Sequence, residues 1–401
     1  MTLLPVSFSP RLIIAVLIPL ITTGCSTILG PIDIVPSSEE KELVCDTSTP
    51  GWQIGTGDHT ASSVHLTTIA KNPSFLKTPR DLAFNPRVTG ELWVVTAGDN
   101  GVAIIHGAHT KNRSIEYRED GWMANHFLNH ASALAFGGDE TTIGKLGTFA
   151  TAQESVNDGS NQGSYLSYFV DGKDFMGPSL YSSDLSVFGR SGNLRGSHLD
   201  MLHSSPLSMG IAWEKDNIYW VFGGLYGDIV RYDFKKDHGK GNSYHEDGVI
   251  HHYMTGEVKR SENVPSHLVF HQQSKSLFIA DSGNGRVLKL DTSSGLLGDE
   301  FKNINEEVDN RYINKAQFSE FIPSSSGIKR PSGLEIQNNL VFISDNESGF
   351  IYAYDMDGKQ VNYLDTGLGK DTLMGMAFGP EGKLYFVDSA NNQVLRIDCK
   401  G

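Results

Sequence analysis

Eight of the fourteen histidines of this 401-residue chain fall between His198 and His271. Neutral imidazole binds Zn, Cu, Ni and Fe well, so such a concentration can build a metal site. The same side chains can also serve as hydrated, hydrogen-bonding loop residues. Linear motifs do not decide between the two. His-Glu-x-x-His and the acidic spacing of an EF-hand loop are absent, and His251 and His252 are adjacent rather than a helical turn apart. A nucleophile elbow is missing, and the Gly/Ser stretch 159–164 lacks the lysine of a phosphate loop.

Which histidines could meet depends on the elements that carry them. Six short apolar runs recur along the chain: DLAF (81–84), ALAF (133–136), GIAW (210–213), HLVF (267–270), GLEI (333–336) and GMAF (375–378). Most are followed by a second run such as 92–95, 218–222 or 384–387, a Gly/Asn/Asp turn, and a third run such as 394–397. Short strands bounded by such turns are antiparallel hairpins, and a unit of three or four of them cannot bury both faces alone. Radial stacking buries those faces and protects the sheet edges. The expectation is an all-β, six-bladed β-propeller of four-stranded antiparallel blades. Its ring is closed by N- and C-terminal strands, with 63–70 joining 384–398 in one blade.

The turns ADSGNGRV (280–287) and VDSANNQV (387–394) resemble those of NHL repeats. Their repeated acids and amides, Asp281, Asn284, Asp345, Asn346, Asp388 and Asn391, read first as turn-forming residues. The spacing between openings is shortest from Leu334 to Met376, close to a bare blade. Longer spacings place loop insertions at about 157–206, 235–263 and 294–330, elaborating one side of the ring.

In a propeller, ligands converge on the axis from different blades, so equivalent positions matter more than linear spacing. Alignment of the openings puts Asp81, Ala133, Gly210, His267, Gly333 and Gly375 at one funnel-lining position. Three glycines there indicate close backbone approach or an open funnel. Asp81 and His267 alone among the six could act as ligands or general bases, and His130 and His203 lie just upstream of their own inner strands. The arrangement resembles the peptidyl-hydroxyglycine amidating lyase propeller, which implies zinc held by His267, His130 and His203. PSGLEI followed by LVFISDNESGFIYAYDMDGK resembles a blade of the lactonase-like calcium propellers. Ser332 stands where that resemblance asks for Asn, and no Glu is expected at an early inner-strand position. Zinc is therefore expected ahead of calcium as the divalent metal.

The leader carries one charge, Arg11, before the apolar run 12–20 and the sequence ITTGC (21–25). It resembles a bacterial lipoprotein signal, which implies removal of 1–24 and lipidation of Cys25. An ordinary secretory signal is the alternative, because Thr22 replaces the usual leucine. Ser26 resembles the residue that directs such proteins to an outer membrane. Residues 25–58, rich in Pro, Ser, Gly and acid, read as a tether and approach to the ring at 59–401. Cys45 and Cys399 are an even pair flanking the propeller of an exported chain, and a disulfide between them would clasp it.

With 33 basic and 47 acidic residues, the net charge of -14 disfavours nucleic acid. Membrane contact is expected only through the lipid anchor. The reading at this level is a monomeric, exported scaffold at the cell surface or in the periplasm, binding a protein, peptide or glycan through its elaborated face. The alternative is a metal-dependent lyase or hydrolase working in the axial funnel.

Overall fold

A computed structural model describes residues 46–120, 127–139, 143–156, 175–189, 196–242, 244–301 and 307–400. After β1 (Val64–Lys71), the first blade is β2 (Pro79–Phe84), β3 (Leu92–Thr96), β4 (Gly101–His106) and β5 (Ser114–Glu119). The second is β6 (Ala131–Phe136), β7 (Thr148–Gln153), β8 (Ser179–Ser182) and β9 (His198–Met201). The third begins with β10 (Gly210–Lys215), β11 (Ile218–Gly223), β12 (Asp228–Asp233) and β13 (Val249–Tyr253). The fourth runs β14 (Leu268–His271), β15 (Ser276–Asp281) and β16 (Arg286–Asp291). A hairpin of β17 (Leu296–Glu300) and β18 (Asp309–Asn314) then precedes β19 (Phe318–Ile322), the fourth strand of that blade. The fifth comprises β20 (Pro331–Gln337), β21 (Leu340–Asp345), β22 (Phe350–Asp355) and β23 (Gln360–Asp365). The sixth holds β24 (Leu373–Phe378), β25 (Leu384–Asp388) and β26 (Gln393–Cys399). β1 completes it, antiparallel to β26 with Val64 opposite Cys399.

This is the expected six-bladed propeller, closed by strands from the two ends of the chain. The six opening runs are the innermost strands, and each touches the next around the axis: β2, β6, β10, β14, β20, β24 and back to β2. Six apolar clusters fill the six interfaces between blades. Trp93 packs edge-on against Phe136 and Phe149 of the second blade, and Trp220 packs against Tyr253. Each blade thus buries one face of its sheet on each neighbour, which is why a single blade cannot stand alone.

One blade departs from four strands. The segment 294–330, expected as a loop insertion, contains β17, β18 and β19. β18 lies parallel to β13, with Val249 opposite Asp309 and Tyr253 opposite Ile313, so the third blade has six strands. The outer edge of β13 offers unpaired backbone groups that an inserted hairpin can satisfy. Ile313 then packs on the apolar cluster between the third and fourth blades, and Phe301 stacks on His252 at 3.8 Å. The second expected insertion contains β13 itself, and the first contains β8 and β9, with 157–174 outside the described residues.

The turn acids do more than close their own hairpins. Asp281 accepts from the Lys259 backbone N–H at 2.8 Å and from Asn284 Nδ2 and Arg286 Nε. Asp345 accepts from the backbone N–H groups of Lys329 and Arg330. Each acid thereby ties the turn between the second and third strands to the connection entering the innermost strand.

Candidate functional site

Strands alternate in direction within a blade, so the turns between second and third strands emerge on the same face as the connections entering the innermost strands. On this upper face the axis is plugged. Arg80, at the start of the first inner strand, is 2% exposed and donates from Nη1 to Glu154 Oε2 at 2.6 Å. Its Nη2 reaches Asn263 Oδ1 in the fourth blade at 3.0 Å. Arg260 and the Asn263 backbone N–H complete the ring of donors around Glu154. Three blades are joined across the axis by one buried carboxylate between two guanidinium groups, a charge-assisted arrangement.

Below the plug lies a cavity of about 200 Å³, walled by successive residues of β2, β6, β10, β20 and the segment 267–270. Asp81 and His267 stand on its wall where the inner strands begin, and Trp213 and Phe270 stand nearer their far ends. The cavity therefore runs from the plug toward the lower face. Asp81 accepts the backbone N–H of Leu82 at 2.8 Å and that of Leu134, in the second blade, at 2.9 Å. Burial pushes its carboxyl well above the usual range, with those N–H groups opposing and the charge of Glu335 reinforcing. His267 Nε2 sits 3.5 Å from Asp81 Oδ1 and has no hydrogen-bond partner. Burial lowers the imidazole to about 4, opposed by a hydrogen bond to the Ser132 backbone, so the ring is neutral at ordinary pH.

Glu335 is the third ionisable group of this cavity, and burial raises its carboxyl to about 8. Glu335 stands two residues beyond Gly333, so strand alternation puts both on one face of β20.

The glycines of the aligned set stand behind the lining, where neighbouring backbones come closest. A Cβ at Gly210 would lie 2.0 Å from the Ser266 carbonyl, and one at Gly333 would lie 2.2 Å from the Met374 carbonyl. At Gly375 it would meet Asp81 Oδ1 at 2.4 Å and His267 Cε1 at 2.8 Å. Buried serines one position earlier stitch the same seam. Ser132 Oγ donates to the Ser208 carbonyl at 2.7 Å and Ser332 Oγ to the Leu373 carbonyl at 3.0 Å. Their place just ahead of the aligned positions was a readable signal for this role.

The three histidines expected to hold zinc are not assembled. His130 is exposed in the connection before β6, its backbone N–H donating to Asn100 Oδ1. His203 is buried after β9, beside Phe175 and 5.3 Å from the ring of His245. Only His267 reaches the axial cavity. Among the described residues no group of three or more His, Cys, Asp or Glu side chains is placed to hold a metal ion. Calcium fits no better, since both oxygens of Asp81 are already committed to backbone N–H groups. The clustered histidines of the third blade gather elsewhere, around buried Asp200. His245 Nδ1 donates to Asp200 Oδ1 at 2.9 Å, and His238 Nε2 donates to Asp247 at 2.8 Å.

Cys399 ends β26. Its expected partner Cys45, the lipidation candidate Cys25 and the leader lie outside the described residues.

A second and larger cavity, about 550 Å³, opens on the upper face between the third and fourth blades. Gly224, Gly227 and Gly256 line it, and a Cβ at Gly256 would meet nothing within 4 Å. Tyr226, Lys259, Arg260, Glu262 and Asn284 supply its polar side chains. Tyr226 rests edge-on against Phe301 of the inserted segment, at 5.1 Å between ring centroids.

No family model and no curated protein matches the chain. Among solved structures, the fold is similar to an auxiliary nutrient binding protein from Bacteroides thetaiotaomicron, with TM-score 0.51 and 11% identity over 84% of this chain and 76% of that one. It is similar also to a streptogramin B lyase (TM-score 0.47, 12% identity, 84% and 98%) and to the calcium-binding protein regucalcin from Agrobacterium tumefaciens (0.48, 16%, 84% and 95%). At these identities the likeness is one of fold. It defines a β-propeller protein and assigns no chemistry.

Proposed function

We propose that the protein is an exported, lipid-anchored propeller that binds a peptide or glycan segment in the upper-face groove between its third and fourth blades. The observation that carries this reading is the groove itself. It is larger than the axial cavity, and glycine backbone, a tyrosine ring and the polar side chains of Lys259, Arg260, Glu262 and Asn284 line it. Those groups match the hydroxyls and amides of an extended polar ligand, with the aromatic ring available for a sugar face or an apolar side chain. Inserted chain supports the tyrosine through Phe301, in keeping with a binding surface elaborated on a rigid ring.

Cleavage after Gly24 and lipidation of Cys25 would place the ring at an outer membrane on the tether 25–58. Among the described residues no helix is long and apolar enough to cross a membrane. A Cys45–Cys399 disulfide would pin the end of that tether to the closing blade, in an oxidising compartment that keeps such bonds.

Glycan and peptide arrays probed with the domain comprising residues 26–401 identify the ligand, and titration calorimetry measures it. Tyr226→Ala is expected to weaken binding by about tenfold or more, while chelator leaves it unchanged. Equal affinity in Tyr226→Ala and Lys259→Ala variants of unaltered melting temperature would overturn the assignment of the groove.

A further inference from the structure

The axial cavity is independent of that groove, and its chemistry is different. No lysine or arginine lines it. Arg80, the nearest guanidinium on the upper side, is already matched by Glu154. The lining instead offers two carboxyl groups, Asp81 and Glu335, and one imidazole, His267, set in a wall of Leu82, Leu134, Ile211 and Leu334.

We propose that this cavity is a second binding site, taking a small primary ammonium ion on a short apolar body, with Glu335 as counter-charge and His267 Nε2 as a hydrogen-bond acceptor. The imidazole is already oriented for that role. It is 95% buried, and its Nε2 lies 3.5 Å from Asp81 Oδ1 without a hydrogen-bond partner. With the proton on Nδ1, Nε2 is an acceptor. An unpaired acceptor at such depth is costly unless a donor arrives, and an ammonium group brings three. Glu335 comes from the fifth blade and supplies a charge-assisted acceptor. Trp213 and Phe270 also line the cavity, and their rings suit the apolar body. The volume of about 200 Å³ holds roughly six heavy atoms. A bare divalent ion fits less well, because the donors do not converge in a set of three. An anion would meet only acidic or neutral groups.

Binding is coupled to protons. The groups facing Glu335 across the cavity are Asp81 and His267; the imidazole stays neutral through the neutral range, and burial raises both carboxyls. An arriving ammonium ion favours the Glu335 carboxylate, so a proton leaves as the ligand enters. With the carboxyl at about 8, affinity should fall roughly twentyfold between about pH 8.5 and about pH 6.5.

The test is calorimetric titration of the 26–401 domain with n-butylammonium at both pH values, in two buffers of different ionisation enthalpy. n-Butanol and Ca²⁺ serve as comparison probes. The expected result is millimolar or tighter binding at the higher pH, release of up to one proton per ligand, and loss of binding in Glu335→Gln. That variant keeps the shape of the protonated acid, and its melting temperature checks the fold. His267→Gln provides a second variant, with weaker binding expected. Absence of butylammonium binding at the higher pH, equal affinity for n-butanol, displacement of the amine by stoichiometric Ca²⁺, or wild-type binding in Glu335→Gln would each overturn the proposal.

Discussion

His267 costs the fold stability in acid. Its imidazole titrates near 4 in the folded chain and near 6.5 when unfolded, so between those values the unfolded state binds more protons and stability rises with pH. The window is worth about 3 kcal/mol. A His267→Asn variant is expected to flatten the climb in melting temperature from about pH 4 to about pH 6.5, as read by calorimetry. Glu335 has the opposite sign. Its folded value lies above the unfolded one, so its contribution is full in acid and is lost as pH rises toward about 8. Gly375→Ala places a methyl against the Asp81 backbone, and overpacking of this kind should cost about 1–3 kcal/mol in a denaturant titration. The sequence made Asp81 and His267 legible because equivalence between repeats is a statement about position. Glu335 was missed because alignment on one residue of each strand ignores the next residue on the same face. The meeting of His245 with Asp200 was not legible either, since it joins a loop of one blade to the outer strand of another.

Among the elements, β17 and β18 carry the largest departure from a regular repeat. Leu296 and Leu297 on β17 are each 61% exposed, a pattern that reads as loop in a linear sequence. Pairing with β13 is non-local, and nothing in LLGDE or DNRYIN announces the partner. The base of the insertion is already closed, with the Asp291 N–H donating to the Gln317 carbonyl at 2.9 Å and Leu290 opposite Phe318. Replacing 295–316 by a two-residue turn should therefore keep the fourth blade intact. It should also bare the outer edge of β13, and sedimentation is expected to show more self-association than in the parent chain. The inner strands were legible for the reverse reason: their apolar runs recur in every unit, and each buries the same kind of surface.

At the scale of the whole molecule, closure is what the two ends of the chain have in common. β1 and β26 pair along their lengths, and Thr67 Oγ1 donates to Asp398 Oδ2 at 2.5 Å. If Cys45 partners Cys399, reduction should remove about 4–5 kcal/mol by loop-closure entropy, seen as a lower melting temperature in dithiothreitol and reproduced by Cys45→Ser. Lipidation belongs to this scale too. Labelled palmitate should enter the full-length chain in a bacterial host, and Cys25→Ser should abolish both the label and membrane fractionation. The ring was legible from the count of units. The plug of Arg80, Glu154 and Asn263 was not, because its members are unrelated positions that only a closed circle brings together.

Closure also sets an order of events for the folding of the chain. Thr67 and Asp398 stand 331 residues apart, so the strand that emerges first waits unpaired until the last has followed. The third blade waits as well, since its outer strands are supplied by the fourth. A growing chain of this kind cannot settle piecemeal from its leading end; the ring shuts only when its last strand is in place.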